Sequence, residues 1–330
     1  MAAKVSNAPV LGIDLGGTKV LAGVVGADNT ILSRAKRSTP AKQGAEAILA
    51  AVVDCAHEAL DSAGVPLNEI AGVGIGTPGP LDVERGIILF SANMNVRDFE
   101  LGPDLSVALG RPVLIQNDVR VGGYGEFRLG AGRGYRNILA AFVGTGIGGC
   151  VIVNGQIVTG VTGNAGELGH ITVKAGGTKC GCGLRGCLEA MASRSAIARR
   201  VGKSLRKGLT SSLALKVDKK GGRLKSGELA EAFLANDPVA VKEVQRAARY
   251  LGIGLGSLAN VLGPEIVILG GGVVAAIGEP YLDLVRQSFH AHAIVDHQHK
   301  IKIEPAALGD DAGLLGSALM ARERFASKHS

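Results

Sequence analysis

Apolar and polar positions along this chain fall into short runs parted by glycine clusters, and the order of the runs predicts two similar halves. Val10 to Asp14 reads as a strand, the turn Gly16-Gly17 follows, and Val20 to Val25 is a second apolar run. Asp28-Asn29 then turns into Ile31-Leu32, so the opening is a meander of hairpins, not a strand feeding a helix. Ile48, Val52, Cys55 and Leu60 share one face of a helix from about Ala45 to Ala63, and Gly64 is a natural stop for it. Ile70 to Ile75 is the next strand, closing in the rigid turn Gly76-Thr77-Pro78-Gly79-Pro80. Val113 to Ile115 is a further strand and ends at Asn117-Asp118.

The second half opens in the same way. Ile138 to Val143 reads as a strand, Gly144-Thr145-Gly146-Ile147-Gly148-Gly149 as its turn, and Cys150 to Val153 as the returning strand. Asn154-Gly155 before Gln156 to Val158 is a hairpin signal. Helical stretches follow at about Cys187 to Arg206 and Ser226 to Leu262, then a strand, Glu265 to Leu269, ending in Gly270-Gly271-Gly272. A helix near Pro280 to His290, a strand at Ile301-Ile303 and a helix from about Ala312 close the chain. The repeated order predicts an α/β protein built from a duplicated α/β unit, with a nucleotide held in the cleft between the copies. Ligands of such sheets gather beyond the carboxyl ends of the strands.

The 330 residues are 46% hydrophobic, enough for two domains or two lobes that close on a ligand. The 50 glycines are about twice the usual share of roughly 7%, and most directly follow apolar runs, where strands hand over to ligand-binding turns. Aromatics are 3% and Trp is absent, which disfavours a stacking platform for single-stranded nucleic acid. A net charge of +7 suits anionic ligands. The excess lies in one stretch, Lys203 to Lys225, read as a solvated helix end and loop before a polyphosphate or RNA surface. The start MAAKVSNAPV lacks a signal-peptide core, and no apolar run could span a bilayer, so the expected compartment is the cytoplasm and no membrane partner is expected.

Four groups of residues carry candidate chemistry. In Asp14-Leu15-Gly16-Gly17-Thr18-Lys19 the glycines admit a phosphate to the backbone, where amide N–H groups and the Thr18 hydroxyl can meet its oxygens. Asp14 could orient Mg²⁺ through water. In Gly144 to Gly149, with Glu167 about twenty positions on, a dinucleotide fold is the superficial alternative. That fold needs a helix directly after the glycines, whereas Cys150 to Gly155 reads as strand and turn. Two phosphate-gripping hairpins are the better account. Cys180, Cys182 and Cys187, with His170 ahead of them, supply the ligands of a closed tetrahedral zinc. Such a metal is structural, and its use is positional: one nitrogen of His170 on the metal leaves the other for a substrate hydroxyl, with Glu189 delivered beside it. Finally, Asp118 can accept a hydroxyl proton as that oxygen attacks a γ-phosphoryl group, and with Asn117, Glu167 and Glu189 it forms a set suited to vicinal hydroxyls.

Taken together, these residues resemble the ROK family (repressors, open reading frames and kinases), and within it the ATP-dependent bacterial glucokinases. The likeness runs through Asp14 to Lys19, Gly74 to Gly79, Asn117-Asp118, Gly144 to Gly149, Glu167 to His170, Cys180 to Glu189 and Leu269 to Gly272. It implies an actin-like (ribonuclease H-like) two-lobed ATPase fold whose C-terminal helix returns to the first lobe. The expected division is 1–118 with about 310–330, and 119–309. It implies hexose and MgATP as substrates, most simply glucose to glucose 6-phosphate, with Asp118 as general base. Sugar hydroxyls would be held by Asn93, Asn117, Asp118, Glu167, His170 and Glu189. ATP would lie on Asp14, Gly16, Gly17, Thr18, Lys19, Gly144, Thr145, Gly146, Gly270 and Gly271, with adenosine near Gly270 to Val273. Structural Zn²⁺ would be held by His170, Cys180, Cys182 and Cys187, and the assembly would be a homodimer or a dimer of dimers.

The chain departs from the family pattern in the loop Ser91 to Arg97, which has no aromatic and carries Val96 about where Trp is usual. It departs again at Val119-Arg120, where a small residue and then Asn are usual. Both changes bear on the choice of sugar, and a kinase for an N-acetylhexosamine or fructose is the near alternative. Polyphosphate is the alternative donor. A sugar-responsive repressor is the remote one: about nine residues precede the first strand, too few for a helix-turn-helix, so no nucleic-acid partner is expected.

Overall fold

The structure is a computed structural model that describes residues 8–217 and 223–326. Residues 218–222 of the basic stretch lie outside the described residues. The charged side chains described on either side of them, Lys203, Arg206, Lys207, Lys216, Arg223 and Lys225, are exposed. Among the described residues no helix is long and apolar enough to cross a membrane.

The chain forms two compact units: residues 1–130 with 159–165 and 310–330, and residues 131–158 with 166–309. In the first unit β1 (Val10–Leu15), β2 (Lys19–Val25) and β3 (Ile31–Ser38) are the predicted meander, and α1 (Ala45–Ala63) follows. Then come β4 (Val73–Thr77), the short β5 (Leu81–Asp82), β6 (Ile87–Ser91), β7 (Val96–Phe99), α2 (Leu101–Leu109), β8 (Val113–Asn117) and α3 (Asp118–Leu129). The main sheet has the order β3-β2-β1-β4-β8, with β1, β4 and β8 parallel and the meander antiparallel. Strands β5, β6 and β7 form a separate three-stranded sheet.

The second unit contains β9 (Ile138–Val143), β10 (Ile147–Val153), β11 (Gln156–Ile157), α4 (Leu188–Ala192), α5 (Arg194–Arg206), α6 (Ser226–Leu234) and α7 (Pro238–Leu262). It continues with β12 (Ile266–Gly270), α8 (Gly272–Ile277), α9 (Glu279–His290), α10 (Val295–Lys300) and β13 (Lys302–Pro305). Its sheet runs β11-β10-β9-β12-β13 and repeats the first sheet's pattern of antiparallel and parallel neighbours, strand for strand. The duplication read from the sequence is therefore a duplication of topology.

Three expectations need correction. The helix expected over Cys187 to Arg206 breaks at Ser193, whose side chain accepts from the Ala196 N–H and so caps a new helix. The helix expected over Ser226 to Leu262 breaks at Asp237, which accepts from the Val239 and Ala240 N–H groups ahead of Pro238. The first unit does not stop at residue 118. Helix α3 belongs to it, and the buried Arg120 ties the segment Thr159–Ala165 to α3 by donating to Gly163 O and to Ala165 O (2.6 Å).

Helix α3 escapes a reading by propensity because Gly122, Gly123 and Gly125 lie inside it. Packing against the C-terminal helix Ala312–Ala326 explains the small residues. That helix crosses β1 and β4 so closely that a Cβ on Gly74 would lie 1.9 Å from Ser317 O, and one on Gly12 2.2 Å from Leu314 O. On its other side a Cβ on Gly316 would lie 1.7 Å from Val121 O. The Ser317 hydroxyl accepts from the buried Ile13 N–H (3.2 Å) and donates to Leu314 O (2.9 Å), which completes the join. Gly74→Ala is therefore expected to lower stability by on the order of 3 kcal/mol, since backbone must move. Gly227→Ala, at a helical position with open space around it, should be neutral or slightly stabilising. Urea midpoints of the two variants check this, and equal midpoints would contradict it.

Candidate functional site

The chemistry-bearing residues of the first unit stand at the carboxyl ends of its three parallel strands. Asp14 pairs in register with Gly76, and Thr77 with Asn117, so the ends of β1, β4 and β8 lie side by side. Asn117 caps α3: its Oδ1 accepts from the Val119 N–H (3.1 Å) and the Arg120 N–H (3.2 Å). The cap leaves its Nδ2 group to offer a ligand, so Asn117 can act as a donor. Asp118 opens α3, and its Oδ1 accepts from the Val119 N–H (2.9 Å). That bond fixes the direction of the carboxylate at the start of the helix.

The turn from Gly16 to Lys19 joins β1 to β2 and is held from outside by Thr39, which sequence reading missed. The Thr39 Oγ1 donates to Gly16 O (2.6 Å) and its N–H to Thr18 O (3.0 Å). Thr18 is exposed at the tip. Gly17 is glycine for a reason beyond the approach of a phosphate: a Cβ there would meet the Asn93 Cβ at 2.8 Å. The loop with Asn93 therefore abuts the turn, and its Met94 and Val96 are both buried. Lys19 Nζ lies 3.4 Å from the exposed Asp310 carboxylate.

Asp14 sits at the foot of this turn, against Gly313 in the first turn of the C-terminal helix. Burial, then the negative charge of Asp118, push its carboxyl up to about 6, with Lys19 opposing and Asp310 adding to the rise. A carboxylate held this high is one that a bound dication would relieve, so the residue fits the Mg²⁺-orienting role.

In the second unit the turn Gly144 to Gly146 and Gly271 lie together at the carboxyl ends of β9 and β12, where a Cβ on Gly271 would come within 2.6 Å of Val143 N. Strand β10 follows the first turn directly, which removes the dinucleotide alternative. Helix α8 opens at Gly272, so its first turn adjoins Gly270 and Gly271. Glu189, in the first turn of α4, supports the Gly144 to Gly146 turn: its Oε2 accepts from the Ile147 N–H (3.1 Å). Its Oε1 lies 3.7 Å from Cys180 Sγ. Glu167 is exposed, and its carbonyl accepts from the His170 N–H (3.0 Å).

His170, Cys180, Cys182 and Cys187 converge, with all four donor atoms within 4.8 Å of one another. Cys180 Sγ lies 3.7 Å from His170 Nδ1, and Cys182 Sγ 3.7 Å from Cys187 Sγ. A tetrahedral ion with bonds of about 2.1–2.3 Å needs donor separations of about 3.5–3.8 Å, so these four residues could hold a metal. None of the cysteines is in a disulfide. Because Nδ1 faces the thiols, Nε2 is the nitrogen left for another partner.

The sequence matches the ROK family over residues 10–324. The chain belongs to the ROK family. It is 35% identical to the glucokinase of Halalkalibacterium halodurans over 95% of each chain. Among solved structures it is similar to the ROK hexokinase of Thermus thermophilus, at TM-score 0.82 and 38% identity over 96% of this chain and 98% of that one. It is also similar to a ROK family glucokinase from Streptomyces griseus in complex with glucose and AMPPNP, at TM-score 0.81 and 35% identity over 96% of this chain and 99% of that one. The two five-stranded sheets of this ROK protein are those of the actin-like ATPase fold.

The state of Asp14 gives a pH-dependent consequence. Its folded pKa of about 6 exceeds that of an unfolded aspartate, so the native state binds the extra proton and stability falls as pH rises from about 4 through 6. Asp14→Asn is expected to raise the stability of the ligand-free protein by roughly 2–3 kcal/mol at pH 8, a gain that shrinks toward pH 4. Melting temperatures across that range test it, and a variant that melts below the wild type at pH 8 contradicts it.

Proposed function

We propose that this protein is an ATP-dependent hexose kinase, with glucose as its favoured substrate and glucose 6-phosphate as its product. The observation that carries the reading is the Asp14–Lys19 hairpin and the α3-opening Asp118 on one sheet edge, in a chain matched end to end by a ROK glucokinase crystallised with glucose and a nucleotide. In the reaction, a sugar hydroxyl oxygen attacks the γ-phosphorus of ATP, the bond to the β-phosphate oxygen breaks, and Asp118 takes the hydroxyl proton. The transition state is loose, so orientation of the sugar matters more than strong basicity.

The sugar's other hydroxyls meet Asn93, the Asn117 amide, Glu167, His170 Nε2 and Glu189. Backbone N–H groups of the turns at Gly16, Gly17, Thr18 and at Gly144, Thr145, Gly146 take the donor's phosphates, with Lys19 adding charge and Gly270-Gly271 taking the adenosine side. Asp14 would orient Mg²⁺, which would supply charge neutralisation on the phosphates. His170, Cys180, Cys182 and Cys187 would hold a structural Zn²⁺, whose ligation would fix the His170 ring and help to deliver Glu189. The protein works in the cytoplasm as a homodimer or dimer of dimers.

Asp118→Asn should lower kcat by about 10²–10⁴-fold with a modest change in sugar KM, because an amide cannot accept the proton. A coupled assay over a panel of hexoses, with ATP and polyphosphate as donors, measures both this and the substrate choice. Retention of more than about a tenth of wild-type turnover would show the base to be misassigned. The zinc assignment has its own test. Burial holds the metal-free Cys187 thiol up at about 12 and raises Cys180, whereas the hydrogen bond from the Leu184 N–H lowers Cys182. Zinc must displace thiol protons, so its affinity should rise with pH and its binding at pH 7 should release protons, at most one per thiol. Calorimetry of the apoprotein in two buffers of different ionisation enthalpy reads that number. Cys182→Ser should lose the ion and weaken sugar binding; unchanged sugar affinity without metal would rule out the positional role.

A further inference from the structure

We infer that Arg194 is a donor-binding residue whose guanidinium takes the polyphosphate tail of the phosphoryl donor. The inference deepens the kinase reading above and rests on it. Arg194 opens α5 directly after the capping Ser193, and it stands 49 positions from Thr145, beyond the reach of any spacing motif. Its Nη2 donates to Thr145 Oγ1 (2.6 Å), its Nη1 to Ser226 Oγ (3.0 Å) and its backbone N–H to Gly144 O (3.0 Å). The Ser195 hydroxyl adds a bond to Thr145 O (2.8 Å). Ser226 lies at the opening of α8, where a Cβ on Gly272 would come within 3.0 Å of its Oγ. The guanidinium thus reaches from the Gly144 to Gly146 turn to the Gly270 to Gly272 turn, the two places assigned to the nucleotide within this unit.

A structural brace would look different. Both side-chain acceptors are neutral hydroxyls, and among the described residues no carboxylate forms a salt bridge with Arg194. Bracing arginines of the same unit do pair: Arg200 with Glu243, and Arg286 with Glu279 and Asp283. A guanidinium has five N–H donors in a planar fork that matches phosphate oxygens, so two bonds to hydroxyls orient it and leave three N–H groups for an anion. Thr145, accepting from Arg194, keeps its own O–H to donate to the same phosphate.

The test uses the full chain with Arg194→Met, Arg194→Lys and Ser226→Ala, titrated calorimetrically with ATP, ADP and adenosine. Arg194→Met should weaken ATP and ADP by about ten- to a hundred-fold, the loss expected of a charged hydrogen bond, and leave adenosine nearly unchanged. It should raise KM for ATP without moving KM for glucose at saturating ATP. Arg194→Lys should recover part of the affinity, and Ser226→Ala, which keeps the charge, should stay close to wild type. Equal weakening of ATP and adenosine, a shift in glucose KM, or a Ser226→Ala loss as large as that of Arg194→Met would make Arg194 a brace and overturn the inference. Unaltered ATP affinity in Arg194→Met would overturn it while leaving the kinase reading intact. A wild type that binds no nucleotide would sink both.

Discussion

The C-terminal helix can lie on the first sheet only because backbone meets backbone there. Ser317 O and Leu314 O occupy the space that side chains at residues 74 and 12 would take, and Val121 O of α3 occupies that of a side chain at residue 316. Side chains cannot adjust to relieve such a contact, so it is intolerant of even one added methyl. Its consequences reach the site. The start of that helix sets Gly313 against Asp14, and the residues just ahead of it bring Asp310 to Lys19 and Asp311 to Arg34. Burial by this helix and the nearby charges of Asp118 and Asp310 then hold the Asp14 carboxyl well above its ordinary range. A packing constraint thereby becomes an electrostatic property of the Asp14 to Lys19 turn.

The second unit repeats the topology and equips it differently. Where the first sheet ends in carboxylates and a capping amide, the second ends in a turn supported by Glu189 through the Ile147 N–H and clamped by Arg194 and Ser195. The His170 and cysteine cluster lies beside that support, since Cys180 neighbours both His170 and Glu189. One arrangement can therefore hold an imidazole, a carboxylate and the Gly144 to Gly146 turn in fixed relation. Preorganised groups of this kind lower a barrier because they need no rearrangement as charge develops.

Much of this was legible in the sequence because the signals are local. Strand ends followed by Gly-rich turns, the alternation of the opening meander and the face of α1 depend only on period and turn chemistry, and the helix Ala45–Ala63 appears at its expected bounds. The convergence of His170 with Cys180, Cys182 and Cys187 was legible for the same reason, as three thiols lie within eight positions of one another. Breaks at Ser193 and Asp237 were missed although each is a capping residue, because the apolar periodicity on either side runs through them.

By itself the sequence determined the strand and turn order, the duplication and the grouping of His170 with three cysteines, all encoded by neighbours in the chain. Only the tertiary structure decided that α3 is a helix despite its glycines, that Arg120 draws residues 159–165 into the first unit, that Thr39 holds the Gly16 to Lys19 turn and that Arg194 bonds to the Gly144 to Gly146 turn. Each of those contacts joins residues more than twenty positions apart or rests on a helix packed from the far end of the chain. The physical reason is that spacing carries information over a turn or two, whereas close approach and desolvation depend on what the whole chain places alongside.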